Sequence, residues 1–302
     1  MSEAPAQRVL RLPDGRALAY REWGDLGGSP VVFVHGSPGS SVWSPDPHQD
    51  ATRAAAVRLI AVDRPGFGGS DVLPGLTFGG WAADVAELAD GLGLERFAMV
   101  GLSGGGPWAA ACAALIPERL AAVGIASSRA LAEYNVRERP QAVDEFNEDD
   151  REEFELVREL GPDEAAKRLT PGYEEWTRGL LEQPERMLAS REQRPEGDKW
   201  LSDDQMHVDL LLEGFREFAR QGPLGNVWES VAILQPWDFL LADIPIPVHL
   251  WHGEQDPRVR LVTQEFAAET IPDARLTVWP DAGHFGIAKH WRQVLDAVTT
   301  AQ

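Results

Sequence analysis

The sequence predicts an α/β fold: a mostly parallel, twisted sheet with helices on both faces, interrupted by an all-helical insertion. Three observations carry that expectation. Short, largely apolar runs recur at residues 31–34, 57–62, 96–102 and 120–126, and again at 246–251 and 274–279. Continuous runs of this kind suit strands buried on both faces, as in a parallel sheet. Segments with helical spacing alternate with them, as strand–helix–strand crossovers require. Between residues 129 and 234 the alternation stops and the text turns charged and helical; afterwards it resumes. The expected core is therefore residues 1–128 and 235–302, with 129–234 as a helical cap inserted over one end of the sheet.

Taken in order, residues 8–23 read as a β-hairpin around Pro13-Asp14-Gly15, where Pro fixes φ and Gly accepts a positive φ. The strand at 31–34 runs into a loop, His35-Gly36-Ser37-Pro38-Gly39-Ser40, rich in residues that break regular structure. The strand at 57–62 ends at Asp63-Arg64-Pro65-Gly66-Phe67-Gly68-Gly69-Ser70, where Asp63 and Arg64 are expected to pair locally or bond loop amides. Residues 77–92 are helical in spacing: Trp81, Val85 and Leu88 share a face, with Thr77 as N-cap and Gly91 or Gly93 as stop. The strand at 96–102 leads through a glycine-flanked serine into a helix-forming run from 108 to Leu115, ended by Pro117.

Inside the insertion, clear helical stretches are EFNEDDREEFELVREL, PDEAAKRL, YEEWTRGLL and MHVDLLLEGFREFAR. Phe154, Val157 and Leu160, then Leu210, Leu211, Phe215 and Phe218, supply their apolar stripes. After it come a strand at 246–251, a helix at 261–270 stopped by Pro272, and a strand at 274–279. A closing helix at 289–300 has Trp291, Val294, Leu295 and Val298 on one face.

Composition narrows the function. The 302 residues are 43% hydrophobic, enough for a large core. A net charge of −20 argues against nucleic acid or an anionic membrane as partner, and more than half of it falls in the insertion. The single cysteine, Cys112, excludes an intrachain disulfide and reads as a small buried hydrophobe. The first residues lack an apolar stretch of signal-peptide length, and no run approaches a membrane span. The expectation is a cytoplasmic protein, monomer or homodimer, with no membrane partner. No HExxH, CxxC or clustered ligand set occurs, so neither metal nor cofactor is expected.

The chemistry centres on Gly101-Leu102-Ser103-Gly104-Gly105, which fits G-x-S-x-G between a strand and a helix. A serine hydroxyl is a weak nucleophile at neutral pH. It needs a base within hydrogen-bond reach, and the base needs an orienting partner. Asp256 and His284 each stand in a loop that follows a predicted parallel strand, as Ser103 does. The C-terminal ends of parallel strands open onto one edge, so the three can converge. Glu254 is a second candidate for the acid. Asp281 reads as a turn former, and His35 and His252 read as structural histidines bonding loop backbone.

On HGSPGS at 35–40, DRPGFGGS at 63–70, GLSGG at 101–105, HGEQDPRV at 252–259 and GHF at 283–285, the chain resembles a serine hydrolase of the α/β-hydrolase superfamily, carboxylesterase-like with a helical cap. The resemblance covers almost everything outside the cap. It implies Ser103 as nucleophile, His284 as base and Asp256, in preference to Glu254, as acid. It also implies an oxyanion hole from the amides of Ser37 and Gly104. Dehalogenase and epoxide-hydrolase relatives carry Asp at the nucleophile position, and dienelactone hydrolases carry Cys. Proline iminopeptidases read HGGPG and GGSWG where this chain reads HGSPG and GLSGG, which disfavours a peptidase. The implied reaction is hydrolysis of a small carboxylic ester, thioester or lactone through an acyl-enzyme, with a small-molecule acyl substrate. Alternatives are a non-hydrolytic lyase, cyclase or cofactor-free oxygenase, a C–C bond hydrolase, an aminopeptidase, or a receptor-like ligand-binding protein. Pro38, Trp176, Phe215, Trp228 and Phe285 are candidate pocket residues, with Tyr173 beside them.

Overall fold

The computed structural model describes residues 4–299. Eight strands form one sheet: β1 (Arg8–Arg11), β2 (Ala17–Gly24), β3 (Ser29–Val34), β4 (Val57–Val62), β5 (Phe97–Leu102), β6 (Leu120–Ala126), β7 (Val248–Gly253) and β8 (Ala274–Trp279). Their spatial order is β1-β2-β4-β3-β5-β6-β7-β8. The hairpin β1–β2 and the β2–β4 pair are antiparallel; every pair from β4 to β8 is parallel. Gly15 takes φ 89° in the hairpin turn, the conformation its position predicts.

The helices are α1 (Asp50–Ala54), α2 (Phe78–Gly91), α3 (Gly106–Leu115), α4 (Ala130–Glu133), α5 (Glu148–Leu160), α6 (Pro162–Glu182), α7 (Gln205–Ala219), α8 (Leu224–Leu234), α9 (Leu261–Thr270), α10 (Gly286–Lys289) and α11 (Trp291–Thr299). Thr77 caps α2, its side chain accepting from the amide of Gly80. None of the described helices is long and apolar enough to cross a membrane.

Alternation along the central strands divides their side chains between two cores. Val32, Val34, Ile60, Val62 and Met99 pack with Trp81, Val85 and Leu88 of α2 and Trp108 of α3. Val31, Phe33, Leu59, Ala61 and Val100 pack with Trp291, Val294, Leu295 and Val298 of α11. The continuous apolar runs of the central strands are thus explained: each buries both faces under helices. Cys112 is fully buried on α3, and burial pushes its thiol up, away from the reactive thiolate.

Helices α4 to α8 lie between β6 and β7, where the sequence stops alternating. Four details differ from the sequence reading. The stretches PDEAAKRL and YEEWTRGLL form one helix, α6, which runs through Pro171. Helix α8 was not among the clear helical segments of the sequence: its polar residues are only Asn226, Glu229 and Ser230, a narrow stripe that faces the cavity at Ser103 rather than solvent. Strand β7 starts at Val248 rather than 246; Pro247 has no N–H for a ladder, and the Val248 amide makes the first bond, to Asp273. The closing helix is split into the turn α10 and helix α11, and position 300 of the expected span lies outside the described residues.

Candidate active site

Ser103 sits in the turn between β5 and α3 with φ 51°. A non-glycine residue there carries about 1–3 kcal/mol of strain, held by its surroundings. The turn is closed so tightly that a Cβ at Gly101 would fall 2.6 Å from the carbonyl oxygen of Gly105. A Cβ at Gly105 would fall 2.3 Å from the carbonyl of Val34. The loop after β3 lies directly over the turn: a Cβ at Gly104 would be 2.6 Å from Ser37 Oγ and 3.1 Å from Ser37 N. The two amides that the resemblance assigns to an oxyanion hole therefore belong to neighbouring backbone.

His284, 7% exposed, follows β8, and its Nδ1 lies 2.8 Å from Asp256 Oδ2. Asp256 is fixed in turn, Oδ1 accepting from the amides of Arg258 at 2.8 Å and Val259 at 3.1 Å. Burial disfavours the charged carboxylate of Asp256. The His284 bond, the histidine's charge and the two amides outweigh it, and hold the carboxyl below its usual range. Glu254 is exposed and takes no part in this pair. Asp281 pairs with Lys289 and His290 in its turn.

Ser103 and His284 both line two adjoining cavities. Among the described residues no hydrogen bond joins Ser103 Oγ to the ring; such contacts are often long before a substrate is seated. The larger cavity, about 440 Å³, carries polar groups from the insertion, including Arg129, Tyr134, Asp150, Glu153 and Tyr173, together with Ser37 and Gly104. Burial raises the carboxyl groups of Glu153 and Asp150 and the phenol of Tyr173. The smaller, about 50 Å³, is walled by Pro38, Trp43, Leu102, Leu211, Phe215 and Phe285. A third cavity of about 660 Å³, lined by Pro38, Tyr173, Trp176 and Phe218, adjoins Ser37. Pro38, Phe215, Phe285 and Trp176 line these cavities. Trp228 lines none of the three; it is packed into the core on α8.

A buried ionic network lies under the loop of Ser37. Arg64 does not pair with Asp63, contrary to one of the sequence alternatives. Asp63 instead accepts loop amides, from Ser41 at 2.6 Å and Gly69 at 3.1 Å. Arg64, fully buried, donates from Nε to Glu229 Oε1 at 2.6 Å and from Nη2 to Ser37 Oγ at 2.7 Å. Ser37 Oγ donates to Glu229 Oε2 at 2.8 Å, and Trp108 Nε1 donates to Glu229 Oε1 at 3.1 Å. Nη1 of Arg64 also donates to the carbonyl of His35. His35 Nδ1 is 2.8 Å from the Gly36 carbonyl, and burial together with Arg64 keeps its pKa well below the usual histidine range. It is a neutral structural histidine. Sequence reasoning missed Glu229. The available signal was that it is the sole acidic residue in LGNVWESVAIL.

A parallel sheet with a serine turn at one strand end and a His–Asp pair at two others defines an enzyme of the α/β-hydrolase superfamily. Residues 31–297 match the model of the Alpha/beta hydrolase family, and the chain belongs to that family. It is similar to a non-heme chloroperoxidase of Streptomyces lividans, 38% identical over 118 residues, which are 38% of this chain and 42% of that one. It is also similar to a 2-hydroxy-6-oxo-2,4-heptadienoate hydrolase of Pseudomonas putida, 38% identical over 100 residues, 32% of this chain and 36% of that one. The chain thus matches less than half the length of these curated relatives. Among solved structures, a thermophilic esterase from Thermogutta terrifontis superposes with a TM-score of 0.63 at 25% identity, covering 98% of this chain and 97% of that one.

Proposed function

We propose that the protein hydrolyses a small carboxylic ester, thioester or lactone through an acyl-enzyme on Ser103, with residues 129–234 as the cap over the site. In this reading His284 takes the Ser103 proton on Nε2 as Oγ bonds to the substrate carbonyl carbon. Asp256 holds the ring tautomer and offsets the imidazolium charge. The amides of Ser37 and Gly104 receive the oxyanion. The bond to the leaving group breaks, and His284 gives that group the proton. Water, deprotonated by His284, then attacks the acyl carbon and frees Ser103. The single observation that carries this is the strained serine turn lining the same cavities as a histidine bonded to a buried carboxylate. The esterase likeness supports the substrate class. The test is turnover of p-nitrophenyl acetate by the protein and by Ser103→Ala; equal rates exclude the assignment.

A second reading, C–C bond hydrolysis of a carboxylate-bearing substrate, draws support from Arg258. Its side chain lines both cavities at Ser103 and His284. Its Nη2 donates to the Met187 carbonyl, and among the described residues it makes no ion pair. A guanidinium in that position suits a substrate carboxylate. The similarity to a hydrolase named for a dienoate points the same way. Assaying an ester beside a 2-hydroxy-6-oxo dienoate separates the two readings.

A further inference from the structure

A second carboxylate lies behind His284, and the reaction proposed above does not use it. Asp198 belongs to the 3-10 segment Glu196–Asp203 of the insertion and is 3% exposed. Its Oδ1 accepts from the amide of Phe285 at 3.3 Å, and the amide of His284 also favours its charged form. The two segments are pressed together backbone to backbone. A Cβ at Gly283 would fall 2.4 Å from Asp198 Oδ2, and one at Gly197 would fall 2.7 Å from Gly283 N. Gln255 ties the pair to the Asp256 loop: its Oε1 accepts from Gly197 N at 2.8 Å and its Nε2 donates to the Pro280 carbonyl at 2.9 Å. Among the described residues Asp198 makes no ion pair. Burial pushes its carboxyl up; the charge of His284 is the largest influence opposing that, ahead of the amides.

We infer that Asp198 is a positioning residue for His284, fixing the imidazole through the loop amides and adding a second negative charge beside the imidazolium. The inference rests on the reading of His284 as the base. It makes the insertion part of the catalytic framework rather than only a cover: one segment of it holds the loop that presents the histidine. The other charged or titratable groups around the ring are Asp256 and His252 from the β7 side, Arg258 in the same loop and Arg194 beside Asp198. Across the cavity stand Arg129, Tyr134, Asp150, Glu153, Tyr173 and Glu229. Asp256 is bonded to the His284 ring, and Asp198 to the amide of the next residue, Phe285.

Asp198→Asn separates charge from geometry, because the amide side chain keeps an acceptor oxygen for the loop. A neutral neighbour leaves the imidazolium that forms during reaction less stabilised. The acid limb of the kcat/KM profile should move down by about half to one pH unit, with kcat reduced roughly three- to tenfold and KM within about twofold. Asp198→Ser, also neutral with an acceptor oxygen, should shift the limb the same way. A profile superimposable on the parent's, in a variant with unchanged thermal unfolding, overturns the inference. A measurement on the unsubstituted protein covers the case in which both variants unfold. The carboxyl carbon-13 resonance of Asp198 should show an inflection coincident with titration of the His284 ring, and its absence overturns the inference too. That titration needs no turnover. Failure of Ser103 to react with a fluorophosphonate therefore counts against the proposed function, while an uncoupled Asp198 counts against this inference alone.

Discussion

Glu229 on α8 accepts a hydrogen bond from Arg64 Nε at 2.6 Å, although the two residues are 165 positions apart. The same carboxylate accepts from Ser37 Oγ. One acidic side chain from the insertion thus holds the loop whose amide is assigned to the oxyanion hole. Glu229→Ala leaves the buried Arg64 guanidinium without its partner and should destabilise the fold by about 3–5 kcal/mol. Glu229→Gln keeps the shape and should lower kcat more than it raises KM. Chemical denaturation and steady-state kinetics on the two variants check this; a kcat equal to the parent's in Glu229→Gln counts against it.

The Ser37–Gly104 contact leaves no space for a side chain. Gly104→Ala should push the two amides apart and remove one donor from the oxyanion. A loss of kcat on the order of 10²–10³ is expected, with KM little changed, since the donor acts on charge that develops during reaction. Retained kcat in a folded Gly104→Ala protein would place the oxyanion elsewhere.

Arg258→Gln distinguishes substrate classes. If its guanidinium receives a substrate carboxylate, KM for a carboxylate-bearing substrate should rise about ten- to hundredfold, and KM for a neutral p-nitrophenyl ester should stay within about twofold. Parallel changes for both substrates would show that Arg258 reads no carboxylate.

Acid should weaken the fold before it protonates most carboxylates. His207 packs edge-on against Trp200 in the insertion. Burial lowers its pKa to about 4, with Asp204 opposing and His48 adding to the shift. The unfolded chain binds that proton near pH 6.5 and the folded chain does not, so stability is full above about 6.5 and declines as pH falls toward about 4. The loss from this residue is on the order of 3 kcal/mol. His35 should deepen the same slope. Denaturation midpoints from pH 7 to pH 4.5 check the trend, and His207→Phe should flatten it; an unchanged slope in that variant contradicts the assignment.

Much of this architecture is legible in the sequence, and the reasons are physical. Val31 to Val34 and Leu59 to Val62 announce strands because both faces meet helices, which leaves no polar position in those runs. The serine turn announces itself because Gly101 and Gly105 have no alternative at such close approach. The His284–Asp256 bond, assigned from strand-end loops and family resemblance, is present at 2.8 Å. The rest depends on distant packing. Glu229 meets Arg64, and Asp198 meets the amides of His284 and Phe285, through tertiary contacts that no local spacing encodes. Trp228 illustrates the opposite error: an aromatic in a cap segment suggested a pocket wall, yet it fills the core beneath. Helix α8 escaped notice because its polar stripe of Asn226, Glu229 and Ser230 is narrow and turned toward the cavity.

Intact-mass analysis after incubation with a fluorophosphonate and with p-nitrophenyl butyrate tests whether Ser103 carries the acyl group. A single adduct that maps to Ser103, absent from Ser103→Ala and slowed in His284→Gln, is the expected result. An unlabelled Ser103 alongside undiminished ester turnover in Ser103→Ala would contradict it.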